Sequence, residues 1–227
     1  MNIGIIFLDY ARDEHTPRAL MNLSNAGYTF DLVTIQQKGV ALALNKGITA
    51  LAYWDEIHGY VMKYDAIVTM ANDIIMPQDW LKKMVIAAKT ISKTGIVGIH
   101  TVESLPEKDA NNVHPTFTPF GNVLITKAVI DKIGYFNTDH DPYGMQDSDY
   151  GYRATKAGFY NYYLPDMKAE HIGHDVGNNS DYRNMKDEGL AIAGEKYMKW
   201  IEYYNTTENY YLPYAQATDK AKVYQNA

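Results

Sequence analysis

Two aspartates and an arginine lie close together in residues 143–159, YGMQDSDYGYRATKAGF. The segment predicts a helix that begins near Asp147 and is closed by Gly158. At a helix start the exposed N–H groups and the helix dipole favour an ionised carboxylate, which can act as a general base toward a hydroxyl. Asp149 and Arg153 are four residues apart and can pair on one helix face. The spacing predicts a paired Asp149 and a free Asp147, with a simple helix cap as the alternative role for Asp147.

A further acidic residue, Asp73, comes shortly after the apolar run at residues 65–70, DAIVTM. We interpret this run as a central strand. In open α/β sheets ligands bind beyond the carboxyl ends of the strands, which is where Asn72 and Asp73 fall. A carboxylate in that place can coordinate a hard divalent cation together with phosphate oxygens. A plain turn formed by the two residues is the alternative.

Two histidines, His171 and His174, stand three residues apart in the segment AEHIGHD, with Asp175 next to the second. Imidazole nitrogens can bind a metal ion or a phosphate group. Two histidines alone are weak evidence, because a structural zinc site normally has four ligands. The segment therefore adds candidates to the site without defining it.

The elements that must position these residues alternate between strand and helix from the first residue onward. This alternation predicts an α/β fold with a mostly parallel sheet. The predicted strands are residues 2–8, 28–35, 65–70, 95–99, 120–125 and 160–164, and the predicted helices are residues 16–27, 48–57, 77–91, 126–133 and 187–204. Residues 101–119 are polar and loop-like, and loops of this length are usually functional or mobile.

The composition is that of one globular domain. The 227 residues are 46% hydrophobic and 21% charged, which is enough for a single well-buried core. The net charge of −6 argues against broad binding to a phosphate backbone, and the absence of cysteine excludes disulfides and thiolate metal sites. No apolar run is long enough to span a bilayer, so we expect no membrane span and a cytoplasmic location.

These segments occur in an order that resembles the family-2 type of glycosyltransferase. The resemblance covers roughly residues 1–175, which makes it more specific than any single motif. The matching segments are ALNKGITA (43–50), TMANDIIMPQDWL (69–81), GIVGI (95–99), LITKAVIDKIGYFN (124–137), YGMQDSDYGYRATKAGF (143–159) and EHIG (170–173).

The resemblance implies the GT-A fold, a Rossmann-like α/β arrangement with a mostly parallel central sheet flanked by helices. We expect residues 1–227 to form a single domain with a C-terminal helix. In this scheme residues 1–100 bind the nucleotide sugar, and residues 101–180 form the acceptor and catalytic half. Residues 181–227 form the C-terminal helix and a tyrosine-rich tail.

The resemblance also implies an inverting, metal-dependent sugar transfer. Asp147 matches the catalytic base, which takes the proton of an acceptor hydroxyl as its oxygen attacks the anomeric carbon. Asp149 and Arg153 would fix the base in place.

The implied metal ion is Mn²⁺ or Mg²⁺. Asp73 matches the last acid of the metal-binding motif and would hold the ion against the donor diphosphate. His171 matches a late histidine that contacts the metal or a phosphate, with His174 as its rival.

The implied donor is a nucleotide sugar, and a UDP-sugar is the favoured one. Asp9, Tyr10 and Arg12 follow the first strand, where the nucleotide pocket of the family begins. Asn45 and Asn72 are the other residues expected to bind the donor. The acceptor stays open between a glycan, a protein and a modified nucleic-acid base.

The chain departs from the family pattern at several positions. Ala71 replaces the first acid of the metal motif, Gln146 replaces the glutamate before the base, and Leu44 replaces an arginine. Gln36 and Gln37 stand in place of an acidic pair. A non-catalytic GT-A-like module that binds a nucleotide or a glycan is therefore the alternative. A nucleotidyltransferase on a related scaffold is a third possibility, but it would need a Gly-rich, Lys/Arg-bearing loop after the first strand, and LDYARDEH is a poor match to one.

Acceptor specificity is expected from residues 101–119 and from the aromatic residues of the C-terminus. These aromatic residues are Tyr197, Trp200, Tyr203, Tyr204, Tyr210 and Tyr211. Aromatic rings can stack on sugars or bases, but a helix packed on the domain is the preferred interpretation for Tyr197, Trp200 and Tyr204.

Overall fold

The computed structural model describes residues 1–9, 14–101, 105–172 and 180–214. The strands are β1 Ile3–Leu8, β2 Asp31–Ile35, β3 Ala52–Asp55, β4 Gly59–Met62, β5 Ala66–Ala71, β6 Ile74–Ile75, β7 Thr94–His100, β8 His114–Pro115, β9 Val123–Thr126, β10 Tyr160–Lys168 and β11 Glu170–His171. The α-helices are α1 Thr16–Met21, α2 Val40–Ala50, α3 Trp80–Thr90, α4 Lys127–Ile133, α5 Gln146–Lys156 and α6 Ser180–Thr207. Short 3₁₀ turns cover Asn22–Ala26 and Thr138–His140.

A seven-stranded mixed sheet forms the centre, in the order β2-β1-β5-β9-β7-β10-β8. Strand β1 pairs in parallel with β2 and β5, and β7 pairs in parallel with β10. Strand β9 runs antiparallel between β5 and β7, and β8 runs antiparallel to β10. Five of the seven strands therefore point the same way, which confirms the predicted α/β fold with a mostly parallel sheet.

The helices cover both faces of this sheet. Alternate residues of a strand face opposite sides, so Ile5 and Phe7 of β1 pack with Trp80 of α3 on one face. Ile6 of β1 packs on the other face with Ile48 of α2, in a cluster that also includes residues of α4 and α5. Burial of this apolar surface on both faces stabilises the fold and fixes the strand ends that carry the polar residues.

The predicted helix over residues 48–57 is wrong beyond Ala50, and the helix begins earlier than predicted, at Val40. Helix α2 ends at Ala50, and residues 52–62 form the antiparallel hairpin β3–β4 instead. Gly59 has a φ of 74°, and the Asp55 carboxylate accepts hydrogen bonds from the backbone N–H groups of Ile57 and His58. A side chain that binds its own turn in this way competes with the helical backbone bonds, so the turn prevails over the apolar spacing.

The C-terminal helix α6 is longer than the predicted 187–204 and spans 28 residues. Among the described parts of the chain, none of the helices combines the length and the apolar character that crossing a bilayer requires. Helix α6 packs instead on the domain. The hydroxyl of its buried Tyr204 donates to Asp149, and its Trp200 Nε1 donates to Asp139 Oδ2 at 3.0 Å. This packing agrees with the preferred interpretation of these two aromatic residues.

Candidate active site

A cavity of 230 Å³ opens at the carboxyl ends of β1, β2 and β5. Four of the residues singled out in the sequence border it, namely Asn72, Asp73, Asp147 and His171. Because parallel strands end at a common edge of the sheet, residues distant in sequence meet there. Two aspartates, Asp73 and Asp147, and one histidine, His171, therefore border a single cavity.

Asp73 and His171 form a polar pair at the cavity. The short antiparallel strands β6 and β11 pair His171 with Ile74, and the Ile172 N–H donates to the Asp73 carbonyl at 2.9 Å. This pairing brings Asp73 Oδ2 to 3.2 Å from His171 Nε2, although 98 residues separate them in sequence. Asp73 is 6% exposed, so its carboxylate is held by its surroundings rather than solvated.

The pair fits a divalent transition metal ion. Two ligands that bind one ion at right angles are about 3 Å apart, which is close to the observed separation. A carboxylate oxygen with an imidazole nitrogen suits Mn²⁺ better than Mg²⁺, which prefers oxygen ligands alone. No group of three or more metal-ligating side chains occurs in the described residues, so water and substrate oxygens would complete the coordination. His174, the rival ligand, lies outside the described residues.

Asp147 borders the same cavity from the first turn of α5. Met145 is the N-cap residue, so Asp147 does not serve as the helix cap. Its side chain is half-buried, and burial raises the pKa of Asp147 to about 6. The expected stabilisation of its ionised form by the helix start is therefore outweighed by the loss of solvent around the carboxyl group. The result is a more basic carboxylate than an ordinary aspartate, which is still mostly ionised at neutral pH.

Asp149 and Arg153 form the expected ion pair, with Arg153 Nε 2.8 Å from Asp149 Oδ2 and both side chains fully buried. The guanidinium also donates to the carbonyl oxygens of Ile133 and Tyr135, each at 2.8 Å. Burial alone would raise the pKa of Asp149, but the charge of Arg153 and hydrogen bonds outweigh it, and that pKa lies below its ordinary value. The pair therefore fixes the helix that carries Asp147 against the end of α4.

Asp9 and Asn72 lie side by side at the sheet edge, because β1 and β5 pair Leu8 with Ala71. The Asn72 amide donates to Thr16 Oγ1 at 3.1 Å and to Asp9 Oδ1 at 3.4 Å. Asn72 borders the cavity, whereas Asp9 does not line it directly. The Asp9 carboxylate also accepts a hydrogen bond from the Gln36 side-chain amide. Two further residues expected to bind the donor, at positions 10 and 12, lie outside the described residues.

Asn45 makes structural contacts, and its predicted role in donor binding stays a prediction. Asn45 is fully buried within α2, away from the cavity. Its amide donates to the Phe136 carbonyl at 2.9 Å and accepts from the Phe136 N–H at 2.8 Å. Both ends of the side chain are thus used to attach α2 to the segment after α4, and this is a structural contact.

Two residues of the cavity were missed in the sequence, Tyr143 and Lys186. Lys186 Nζ lies 5.4 Å from the centre of the Tyr143 ring, a cation–π distance. The contact depends on how α6 docks, which no local pattern shows. The one available signal was Gly189 inside a predicted helix, where glycine is unfavourable unless a close approach requires it.

Comparisons with known proteins find similarity in structure but not in sequence. The chain matches no protein-family model and no curated protein. The mannosyltransferase PcManGT from Pyrobaculum calidifontis, solved with GDP-Man and Mn²⁺, gives a TM-score of 0.62 at 13% identity, over 87% of this chain and 64% of that chain. The catalytic domain of Drosophila β1,4-galactosyltransferase 7, solved with xylobiose, gives 0.57 at 13% identity, over 79% and 78%.

A third similar structure is S. aureus TarS 1–349 in complex with UDP. It gives a TM-score of 0.56 at 11% identity, over 74% of this chain and 59% of that chain. The chain thus spans about three fifths of the TarS fragment and of the mannosyltransferase. These likenesses show that the chain has the GT-A fold of glycosyltransferases. At 11–13% identity these structures show the fold alone, so the chemistry of this protein has to be argued from the residues of its own site.

Proposed function

We propose that this protein is an inverting glycosyltransferase that moves a sugar from a nucleotide-sugar donor to an acceptor hydroxyl. One observation carries the proposal: the Asp73–His171 pair and the half-buried Asp147 border a single cavity at the carboxyl edge of the sheet. The GT-A fold supports it, because similar structures contain GDP-Man with Mn²⁺ or UDP.

The donor would lie with its diphosphate toward Asp73 and His171. These two residues would hold Mn²⁺, or Mg²⁺ less favourably, and the bound ion would neutralise charge on the leaving diphosphate. Asn72 and Asp9 would face the nucleotide end, and the UDP in the TarS structure makes a UDP-sugar the favoured donor.

The acceptor hydroxyl would lie between the sugar and Asp147. As the acceptor oxygen forms a bond to the anomeric carbon, the bond from that carbon to the diphosphate breaks, and the hydroxyl proton passes to the Asp147 carboxylate. A base with a pKa of about 6 accepts this proton more readily than an ordinary aspartate, and at pH 7.5 it is still mostly deprotonated. A single displacement of this kind inverts the configuration at the anomeric carbon.

A module that binds a nucleotide or a glycan without turnover is the second candidate. Ala71 favours it, because this residue borders the cavity where many family-2 enzymes carry a second acid. Such a module would bind a nucleotide sugar through Asp73 and His171 and release nothing from it.

The test is donor cleavage by matched aspartate variants. Purified protein is incubated with a panel of nucleotide sugars and Mn²⁺, and the free nucleoside diphosphate is measured. Asp147→Asn should lower the rate about 10²- to 10⁴-fold, the usual contribution of a general base. Asp166→Asn is the matched control, because Asp166 is exposed and pairs only with Lys108 among the described residues. An unchanged rate in Asp147→Asn would contradict the assigned base, and donor binding with no release would favour the binding module.

A further inference from the structure

The charged side chains of the cavity are unevenly distributed. The described residues that border it include two carboxylates, Asp73 and Asp147, and one histidine, His171. Lys186 of α6 is the only lysine or arginine among them. A site built to hold a diphosphate needs positive charge, and the side chain of Lys186 is the one permanent cation that the described residues supply.

Lys186 is held at the cavity by an aromatic contact rather than by an ion pair. Its Nζ lies 5.4 Å from the centre of the Tyr143 ring, and no carboxylate among the described residues lies within ion-pair distance of it. Other lysines of the chain are paired on the surface, such as Lys199 with Glu195 on the same helix. The Lys186 ammonium group is therefore not engaged by a described carboxylate and is placed to contact an anion in the cavity.

The packing of α6 makes this placement specific. A Cβ added to Gly189 would lie 2.1 Å from the carbonyl oxygen of Tyr143, and one added to Gly144 would lie 2.9 Å from Ala193 Cβ. The helix therefore approaches the Tyr143–Gly144 segment at backbone distance. Lys186 is one turn before Gly189 on the same helix face, so this approach sets the lysine over the Tyr143 ring. The segment it touches leads directly into α5 and Asp147.

We propose that Lys186 binds the diphosphate of the nucleotide-sugar donor, supplying through α6 a positive charge beside the Asp73–His171 pair. This inference rests on the proposed function for the identity of the anion. It goes beyond that function by assigning a donor-binding role to the C-terminal helix. Because an ammonium binds phosphate as a point charge, the contact needs no metal ion and should persist when the metal is removed.

The experiment measures binding of UDP and of inorganic pyrophosphate by calorimetry, in EDTA and separately with Mn²⁺. Lys186→Met should lower both affinities about 10- to 100-fold, the range expected for a lost charge-assisted hydrogen bond. Lys186→Arg should retain most of the affinity, because the charge remains. Lys199→Met is the matched control, since it removes a lysine from the same helix but away from the cavity, and it should bind as the unaltered protein does.

The outcomes separate this inference from the proposed function. If the unaltered protein cleaves a nucleotide sugar but Lys186→Met binds UDP and pyrophosphate with full affinity, the role of Lys186 is refuted and the transferase stands. If Lys186→Met loses pyrophosphate binding while no donor is cleaved by the unaltered protein, the anion site stands and the transferase fails. Absence of pyrophosphate and UDP binding to the unaltered protein in both EDTA and Mn²⁺ would also overturn the inference.

Discussion

Replacing Asp147 with asparagine should make the folded protein more stable above pH 7 while it slows transfer about 10²- to 10⁴-fold. Burial raises the pKa of Asp147 to about 6, whereas the ordinary value is 3.8. The folded state therefore holds the carboxyl proton more tightly than the unfolded state. The contribution of this proton to stability is complete below about pH 4 and is lost as the pH rises through 6.

The magnitude follows from the size of that shift. A difference of roughly two pKa units corresponds to about 3 kcal/mol at 1.36 kcal/mol per unit. We take this as an upper limit, because the side chain borders an open cavity and water reaches part of it. Asparagine is neutral at every pH and similar in size, so the variant removes the cost of the buried charge without leaving a hole.

The assay is urea unfolding of both proteins at several pH values between 4 and 8. Asp147→Asn should exceed the unaltered protein by about 1–3 kcal/mol at pH 8, and the difference should shrink toward zero near pH 4. Asp166→Asn, at an exposed position, is the control and should show no such pH-dependent gain. A variant that is less stable at pH 8, or a difference that does not change with pH, would refute the assignment of a desolvated carboxylate at this position.

Three further predictions concern the base, its support and the docking of α6. The rate of donor cleavage should rise with pH through about 6, since Asp147 must be ionised to act as base, and a pH–rate profile without this limb would contradict its role. Asp149→Asn should lower the free energy of unfolding, measured in urea, by about 3–5 kcal/mol, because it leaves the fully buried Arg153 without its charge partner. A loss below about 1 kcal/mol would show that the fold does not depend on this ion pair. Gly189→Ala should lower the melting temperature, because Gly189 lies close to the Tyr143 carbonyl. Gly194→Ala on the same helix has open space around it and should raise the free energy of unfolding by about 0.5–1 kcal/mol. Equal behaviour of the two variants would refute the close packing of α6.

The parts of the fold that follow from local patterns were predictable. Strand β5 is a mostly apolar and mostly buried run that is followed directly by polar Asn72 and Asp73. The rule that ligands bind beyond the carboxyl ends of strands puts those two residues at a ligand edge. The ion pair of Asp149 and Arg153 follows from helical spacing in the same way. The convergence of Asp73 and His171 needed the order of motifs as well, because β6 and β11 are only two residues long and carry almost no pattern of their own.

The contacts that the sequence did not predict join distant segments. Asn45 was placed in the donor site by its motif, but its amide is used by Phe136, which is 91 residues away. Lys186 reaches the cavity only because Gly189 lets α6 approach Tyr143 at backbone distance. Neither contact has a periodicity or a spacing that a single sequence displays. The pKa of Asp147 likewise depends on the solvent that the assembled cavity excludes, and the helix start alone suggested the opposite direction.

The most direct test of the central claim is metal-dependent cleavage of a nucleotide sugar. Free UDP would be measured from a panel of UDP-sugars, with Mn²⁺ or with EDTA, for the unaltered protein and for Asp73→Ala. We expect release from at least one donor, and loss of that release both in EDTA and in the variant. Release that continues unchanged in Asp73→Ala, or failure of every nucleotide sugar to bind, would contradict it.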